Sequence, residues 1–482
     1  MAWPNPFRRR DENTRTCWGY TFQLTPEHMT LEQSHPLKHS YDVLGEECLD
    51  ILNELSPPDP RPSNRPSEGA PPSTSDQELK PSSSDKPAKP RRDLYALLVS
   101  RKDSHPKLKQ LYDDAASPPF PVDWEQIARG QDVFYRYGGA NLTGLAYQSL
   151  LGGMGAARVV ETLTRTGGFN VRVARHRLFE TTQHILECTR DLPSIQAGGD
   201  GFASSLRVRL LHAAVRKRIL TLTASHPSYY SVAEYGIPIN DLDCIATIAS
   251  FSATLLFISL PRQGLWVTAQ EAADYTALWR LIAHYTGTPT EPFATPAKAK
   301  AAMESLLLHE IRPSPTSRVL ANNIIRALEN TPPAYASRSF LEVNARWMNG
   351  NELCDELGLG RPSPWYWVLM TGQCLFFMGV CYFYRSFEAL DRRKVKGLRR
   401  VFWAFIVEGK SGLAGEKSAF EFQWVPDLGK GTEAGREDEV SDRGESGVEA
   451  RSLRTLAVAL VGLGALSWVG VKVVGRLSAM IW

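Results

Sequence analysis

Two neighbouring segments of the sequence carry the side chains best suited to chemistry. In the first, four polar residues recur at i, i+3, i+4 and i+7, the spacing of one helix face: Arg177, Glu180, Thr181 and His184. In the second, His212 interrupts a stripe of aliphatic residues at helical spacing. Packed together, the two predicted helices would enclose a polar pocket within an apolar body.

The same spacing also has plainer interpretations. A single histidine on an apolar helix face, such as His212, is more often a core residue with a backbone partner than a ligand. Arg177 paired with Glu180 or Thr181 would contribute only roughly 0.2–0.5 kcal/mol as a surface contact. Spacing alone therefore leaves a structural and a functional interpretation open for both helices.

Length, charge and cysteine content narrow the classes of protein. At 482 residues the chain is long enough for two or three domains, but one uniformly helical stretch favours one large core. A net charge of +3, with basic residues scattered among acidic ones, gives no nucleic-acid footprint. Seven cysteines without a CxxC pair indicate reduced thiols in a cytosol-facing protein, and argue against a disulfide scaffold or zinc ribbon.

Composition divides the chain into five parts. Residues 1–55 are predicted to form an N-terminal arm, and 56–92 a disordered linker rich in Pro, Ser, Asp and Lys. Residues 93–410 are predicted to form the main domain, and 411–452 a polar, acidic and solvated tether. Residues 453–482 then carry the apolar C-terminal segment.

The main domain is predicted to be all-α, because no run alternates convincingly with period two. Thr268 with Glu271, and Asn240, provide capping signals at helix starts. The glycine pairs lack the strand-to-helix context of a nucleotide-binding loop, which excludes Rossmann and P-loop sites. The helical patterns cover residues 123–137, 140–153, 156–166, 170–190, 200–221, 240–260, 268–286, 295–310, 315–329 and 338–358.

Two apolar stretches bear on a membrane. A spanning Trp365–Tyr384 would put the main domain and the basic run after it on opposite sides, so a helix in the interface or against the domain is favoured over a span. Thr455–Val471, seventeen residues without a charge, is predicted to be a transmembrane tail anchor. No apolar stretch follows the N-terminal arginines, so no secretory signal peptide is expected.

The run from Arg207 to Arg216 around His212, about thirty residues after Arg177-Leu-Phe-Glu-Thr181, resembles the paired signature of the rubber oxygenase (latex-clearing protein) family. The resemblance extends over roughly residues 18–405. The fungal branch of that family includes the membrane-bound oxygenase of the mycophenolic acid pathway. The resemblance implies an all-helical domain with a b-type haem, O2 as co-substrate, and cleavage or oxidation of carbon–carbon double bonds in lipophilic isoprenoid substrates.

By this resemblance His212 is the iron ligand, and Arg177, Glu180 and Thr181 lie on the opposite, oxygen-binding side. Arg177 would polarise oxygen and Glu180 would take a proton next to the reacting alkene carbon. Thr181 would hydrogen-bond a water or oxygen, or bond back to the Arg177 carbonyl. The bacterial rubber enzymes carry a lysine that can ligate iron where Glu180 stands, and a carboxylate matches that role poorly. An open site is therefore expected, with His184 as a pocket wall.

Three arginines around the histidine stripe, Arg207, Arg209 and Arg216, either pair the haem propionates or face solvent, because a guanidinium suits both positions. The resemblance favours the endoplasmic reticulum membrane with the domain facing the cytosol, whereas the flanking charges do not distinguish it from the mitochondrial outer membrane. The competing hypothesis is a non-catalytic, membrane-anchored helical protein that binds a lipid or protein partner, with His212 in the core. A third keeps the haem but hydroxylates or peroxidises without cleavage.

Overall fold

The all-α prediction for the main domain is confirmed by a computed structural model, which describes residues 10–58, 92–166, 169–332, 334–420 and 447–481. Most of the predicted linker 56–92 and of the predicted tether 411–452 lies outside the described residues. Ten helices from the arm to the second chemistry-bearing segment are α1 Leu31–Ser34, α2 Val43–Leu55, α3 Leu94–Arg101, α4 Pro106–Ala116, α5 Trp124–Arg136, α6 Gly138–Thr143, α7 Ala157–Arg165, α8 Val171–Thr189, α9 Leu192–Ile195 and α10 Asp200–Ser225.

The remaining α-helices of the described residues are α11 Val232–Tyr235, α12 Asp241–Phe251, α13 Leu260–Arg262, α14 Ala269–Tyr285, α15 Pro296–His309, α16 Pro315–Leu328, α17 Arg338–Asn349, α18 Asn351–Glu356, α19 Pro364–Arg385, α20 Glu388–Trp403 and α21 Val448–Ile481. Short 3-10 turns occupy Pro36–Lys38, Lys102–Ser104 and Glu291–Phe293, and π-helical segments occupy Gly144–Gly152, Leu255–Ser259 and Ala404–Glu408. The capping signals at Asn240 and Thr268 both form capping boxes.

The arm contains a β-hairpin that the sequence analysis did not predict. Strands β1 Thr14–Cys17 and β2 Tyr20–Gln23 pair antiparallel through a two-residue turn, in which Trp18 and Gly19 have φ angles of 50° and 70°. Positive φ at both turn residues is the geometry that suits the twist of a hairpin. The Tyr20 hydroxyl donates to Glu304 at 2.8 Å, which fastens the hairpin to α15. The arm therefore docks on the main domain, as expected, but not only through a helix.

Two large hydrophobic clusters form most of the core, and a small third one surrounds Val215, Ile219 and Tyr230. One large cluster joins α5, α8, α10, α12 and α14, and the other joins α16, α17 and α19. Between α8 and α10 the backbones approach closely at Gly201, where a Cβ atom would lie 2.8 Å from the Glu187 carbonyl oxygen. Only glycine permits that approach without a backbone shift. Gly201, in the first turn of α10, thus lets the two chemistry-bearing helices pack directly on each other.

The predicted helix over 240–260 is broken in the structure. α12 ends at Phe251, and Ser252 leaves helical geometry with φ −115° and ψ −85° before the π-helical segment Leu255–Ser259 begins. The Ser252 hydroxyl donates to the Ile248 carbonyl at 2.7 Å, the type of local hydrogen bond that bends helices. The prediction of one continuous helix was therefore wrong, because apolar periodicity does not register this local competition.

The described start of the predicted tether is partly buried. In the 411–420 segment, Leu413, Ser418 and Phe420 are buried, and Arg175 on α8 donates to the Ser411 carbonyl at 2.9 Å. The folded domain therefore extends past the boundary predicted at residue 410, because backbone and side-chain contacts with α8 replace solvent.

Three helical stretches of the described residues are long and apolar enough to cross a membrane. In their most apolar eighteen residues, Asp241–Arg262 is 61% buried within the domain, Pro364–Arg385 is 39% buried, and Val448–Gly470 is not buried. The last stretch contains most of the predicted tail anchor. Its exposed aliphatic surface has the length and composition of a bilayer span.

Candidate functional site

A large cavity of about 480 Å³ lies between α8, α10 and α12, and the arm and the 411–420 segment contribute to its wall. Its walls are mostly aliphatic and aromatic, and its size is that of a site for a cofactor or small molecule. Four residues singled out on the first helix and the one on the second all line it: Arg177, Glu180, Thr181, His184 and His212. The two segments that could do chemistry therefore face the same cavity.

His212 contributes an imidazole without a partner to this cavity. Its Nδ1 atom is buried and forms no hydrogen bond to the described residues. Burial, reinforced by the charge of Arg216, lowers the pKa of His212 to about 4. The ring is therefore neutral at pH 7, which is the protonation state in which an imidazole binds a metal ion.

His184 shares the cavity wall but is already engaged. Its Nδ1 lies 3.0 Å from the Ser204 hydroxyl on α10, and its ring meets the edge of Phe420 at 6.1 Å between centroids. Burial and the nearby His212 lower the pKa of His184 to about 4. The contrast between the two rings agrees with the expectation that His184 is a wall residue, whereas His212 is free to bind.

Glu180 is held in its ionised form. Burial opposes the charge, but hydrogen bonds from His176 and Ser418 and the charge of Arg177 outweigh it, so the pKa of Glu180 lies below its ordinary value. Arg177 Nη1 lies 3.6 Å from Glu180, and the Ser418 hydroxyl donates to Glu180 Oε1 at 2.6 Å. The Thr181 hydroxyl forms no hydrogen bond to the described part of the chain, so the alternative bond to the Arg177 carbonyl is not observed.

Ser418 and Phe420 belong to the site although the sequence analysis did not single them out. The Ser418 backbone N–H donates to Gln183 Oε1 at 2.8 Å, and its hydroxyl bonds Glu180 as described. Phe420 lines the cavity beside His184. These residues lie more than 230 positions after α8 in a polar stretch, so no local pattern in the sequence indicates their role.

The three arginines predicted around His212 do not line the cavity. Arg207 donates twice to Asp93, at 3.0 and 2.6 Å, and Arg209 donates twice to Asp42, at 2.6 and 2.7 Å. Arg216 is 2% exposed, with its guanidinium 4.4 Å from the centre of the Tyr41 ring. The guanidinium groups of all three contact the arm or the start of the main domain. They therefore neither line the cavity nor extend into solvent. Their assignment to propionates stays a prediction that these contacts do not support.

Other arginines reach the cavity wall. Arg158 lies in ion pairs with Asp243 and Glu310, whereas Arg262 donates to the backbone carbonyls of Met348 and Trp18. Arg262 has no carboxylate partner among the described residues, and its burial lowers the pKa of the guanidinium. Together with Arg177, it places positive charge on a wall that is mostly apolar.

Comparison with known proteins agrees with this geometry. Residues 135–376, half of the chain, match the family model described as ER-bound oxygenase mpaB/B'/Rubber oxygenase, catalytic domain. The chain is 25% identical over 177 residues to the rubber oxygenase of Streptomyces sp. (strain K30), an alignment that covers 36% of this chain and 41% of the relative. The match thus spans about two fifths of that relative's length.

The fold has a solved counterpart. The structure of a latex clearing protein in the closed state superposes with a TM-score of 0.55 at 18% identity, covering 81% of this chain and 95% of that chain. At that identity the likeness shows the fold alone. The family match confirms the resemblance found in the two motifs: this chain belongs to the family of ER-bound mpaB/B' oxygenases and rubber oxygenases.

Proposed function

We propose that the protein is a membrane-tethered, haem-dependent oxygenase that cleaves or oxidises a carbon–carbon double bond in a lipophilic, isoprenoid-type molecule. The family consists of oxygenases, and the observation that carries the proposal is the neutral, unpartnered imidazole of His212 in an apolar cavity of about 480 Å³. The related rubber oxygenase carries an isoprenoid polymer in its name, and an apolar cavity suits such a chain. Membership of the fungal branch is part of this proposal.

The residues present fit a b-type haem. A neutral imidazole such as His212 is a common iron ligand, and its pKa of about 4 keeps it unprotonated at physiological pH. Arg177 and Arg262 at the wall would hold the propionates, in place of the arginines that face the arm. When bound, the haem would supply the iron chemistry that activates O2.

The remaining groups of the site determine proton transfer and access. Glu180 is ionised and fixed by Ser418, so it can accept a proton from a carbon next to the reacting double bond. The guanidinium of Arg177, 3.6 Å from that carboxylate, stabilises charge that develops beside it. Thr181, whose hydroxyl is not used within the helix, would orient a polar group of the substrate or a water.

The exposed apolar stretch of α21 would anchor the chain in the endoplasmic reticulum membrane, with the domain on the cytosolic side. A membrane anchor would bring the domain to a lipophilic substrate that partitions into the bilayer. The assignment to the endoplasmic reticulum rests on the family description, which names ER-bound oxygenases.

An absorption spectrum of the purified full-length chain tests the haem. The wild type is expected to show a Soret band after reconstitution with haemin, and His212→Ala is expected to lose it. His284→Ala is the matched control, because His284 is also a partly buried helix histidine but bonds the Asp114 carbonyl outside the cavity. A folded wild type without a spectral change would overturn the haem assignment and favour a non-catalytic lipid-binding or partner-binding protein. Products formed with labelled O2 would then distinguish cleavage from hydroxylation by mass.

A further inference from the structure

The C-terminal helices expose an unusual concentration of large apolar side chains. The surface, here called the α19–α20 surface, consists of Trp365, Val368, Phe383, Phe387, Arg393, Lys396, Arg400, Val401 and Phe405. Its four largest side chains, Trp365, Phe383, Phe387 and Phe405, each leave between 48% and 57% of their area exposed. Exposed aromatic residues gathered at one place usually mark an interaction site.

α19 cannot be surrounded by lipid, because its other face belongs to the domain. Gln373 is buried and donates to Asn344 on α17 at 2.9 Å, and the Tyr382 hydroxyl donates to the Gly264 carbonyl at 3.1 Å. Arg385 reaches back to the Tyr137 hydroxyl at 2.8 Å. α19 is therefore a domain helix with one apolar stripe left uncovered, in keeping with the preference for an interfacial helix over a span.

Contacts with α21 fix where this stripe lies relative to a membrane. A Cβ atom at Gly372, in the middle of α19, would lie 2.3 Å from the Ser452 carbonyl oxygen and 3.0 Å from the Leu456 side chain. The fully exposed aliphatic surface of α21 begins almost at once after this contact, at Val458. If α21 enters the bilayer there, the middle of α19 lies at the level of the headgroups.

α20 presents a matching charge. Arg393, Lys396 and Arg400 recur at i, i+3 and i+7, are exposed, and have no ion-pair partner among the described residues. Phe387, at the corner between α19 and α20, meets Phe383 edge to face with 5.7 Å between ring centroids, and α20, which carries the three basic residues, begins at the next residue. A helix with uncompensated basic residues beside exposed aromatic ones is the pattern of a helix in an anionic membrane interface.

We propose that the α19–α20 surface rests on the membrane, with its aromatic side chains in the interface and its basic stripe on anionic phospholipid headgroups. This proposal rests on the membrane attachment of α21 proposed above. The occupant is a lipid surface and not a second protein, because the surface adjoins the helix that would enter the bilayer and its free charge is basic. The domain would then be held in one orientation on the membrane and not only tethered to it.

Photo-crosslinking in the full-length chain tests the contact. The chain is reconstituted in vesicles that contain phosphatidylserine, with p-benzoylphenylalanine replacing Phe383, Phe387 or Phe405 in turn. Leu31 and Val99, exposed apolar residues far along the chain from this surface, are the matched control positions, and Val461 reports on insertion of α21. Lipid adducts at the three phenylalanine positions are expected about tenfold above those at Leu31 and Val99.

The charge is tested in the same assay. Reversing Arg393, Lys396 and Arg400 to glutamate is expected to reduce lipid adducts at Phe405 by about fivefold or more in anionic vesicles, and much less in phosphatidylcholine vesicles. The three side chains are exposed, so an unchanged far-ultraviolet circular dichroism spectrum checks that the variant is folded.

The outcomes separate this proposal from membrane attachment. Adducts at Val461 with only control levels at the three phenylalanines would overturn the surface contact and leave the anchor in place. Adducts at none of the four positions would overturn both. Crosslinks from Phe383 or Phe405 to a second polypeptide instead of lipid would show that this surface is a protein interface, which also contradicts the proposal.

Discussion

Arg207 and Arg209 on one side of α10 differ from His212 on the other in whether their polar atoms have partners. Arg216, also on the arm side, keeps two buried nitrogen atoms without a hydrogen bond to the described residues. On the arm side, Arg207 and Arg209 each make two hydrogen bonds to one aspartate. On the cavity side, the His212 Nδ1 atom is buried with no partner. Charges that have partners within the fold stabilise it, whereas a buried polar atom without one costs stability. The difference separates the part of the helix that holds the arm from the part that is available to a ligand.

Breaking the arm side should have the largest effect on stability. Arg209→Met would leave Asp42 largely buried without its partner, so the free energy of unfolding should fall by about 3–5 kcal/mol. Asp42 would still cap α2 through its hydrogen bond to the Gly45 N–H. Urea unfolding followed by circular dichroism measures the change. The Soret band of the folded variant should persist, because Arg209 does not line the cavity.

Lys107→Met is the matched control for that experiment. Lys107 bonds Glu47 at 2.6 Å, but both side chains are about half exposed, so the loss should be only about 0–1 kcal/mol. Equal losses in the two variants would contradict the claim that the arm side of α10 is held by its buried ion pairs. Loss of haem in Arg209→Met at unchanged stability would instead restore the assignment of that arginine to a propionate.

A substitution on the cavity side should instead raise the free energy of unfolding. His212→Leu removes a buried nitrogen without a partner, so the haem-free chain should gain about 1–3 kcal/mol in free energy of unfolding at pH 7.5 while haem binding is lost. The folded-state pKa of about 4 lies below the unfolded-state value of 6.5, so only the unfolded chain gains a proton between these values. The wild type therefore loses stability as the pH falls through this window, and the advantage of leucine should grow by up to about 3 kcal/mol.

Denaturant titrations of the haem-free wild type and His212→Leu chains at pH 7.5 and 5 measure this difference in the free energy of unfolding. His284→Leu provides a comparison, because it removes a ring that has a carbonyl partner and should destabilise the chain at pH 7.5. A destabilised His212→Leu chain would mean that the imidazole is a satisfied core residue after all. That result would favour the interpretation of His212 as a core histidine over its interpretation as a ligand, between which helical spacing could not decide.

Local patterns accounted for helices and for one side of the site, but not for contacts between distant segments. Helical spacing and capping signals correctly predicted elements such as α14 and α10, because both depend on residues within one or two turns. The hairpin around Trp18 was missed because its strands have only four residues each, too few for a clear alternation. Spacing also grouped His212 with Arg209 on one helix, but could not indicate that Asp42 would take up the arginine.

Ser418 illustrates the same limit within the cavity. Its contact with Glu180 joins residues 238 positions apart, and its neighbours form a polar stretch that resembles a solvated tether. Composition did not indicate that Ser418 would be buried, because the hydrogen bonds that fix it join α8 and not its own sequence neighbours.

The smallest expected effect concerns this contact. Ser418→Ala removes a hydrogen bond of 2.6 Å to an ionised carboxylate, so the free energy of unfolding should fall by about 1 kcal/mol at pH 7. Burial is the largest influence on Glu180, and with one opposing hydrogen bond lost the pKa of Glu180 should rise. The stabilisation that comes from the lowered folded-state pKa of Glu180 is present above the ordinary pKa of a glutamate and is lost on acidification. The wild type and Ser418→Ala should therefore converge in stability at low pH.

Ser411→Ala is the control, because Ser411 lies in the same segment and contacts α8 only through its carbonyl oxygen. If Glu180 acts as the base, the acid limb of the pH–rate profile should move to higher pH in Ser418→Ala and stay in place in Ser411→Ala. An acid limb that does not move, despite the loss of stability, would assign Ser418 to fastening the 411–420 segment. The proton would then have to be accepted by a group other than Glu180. His212 would be the one residue on the cavity side of α10 that keeps its proposed role.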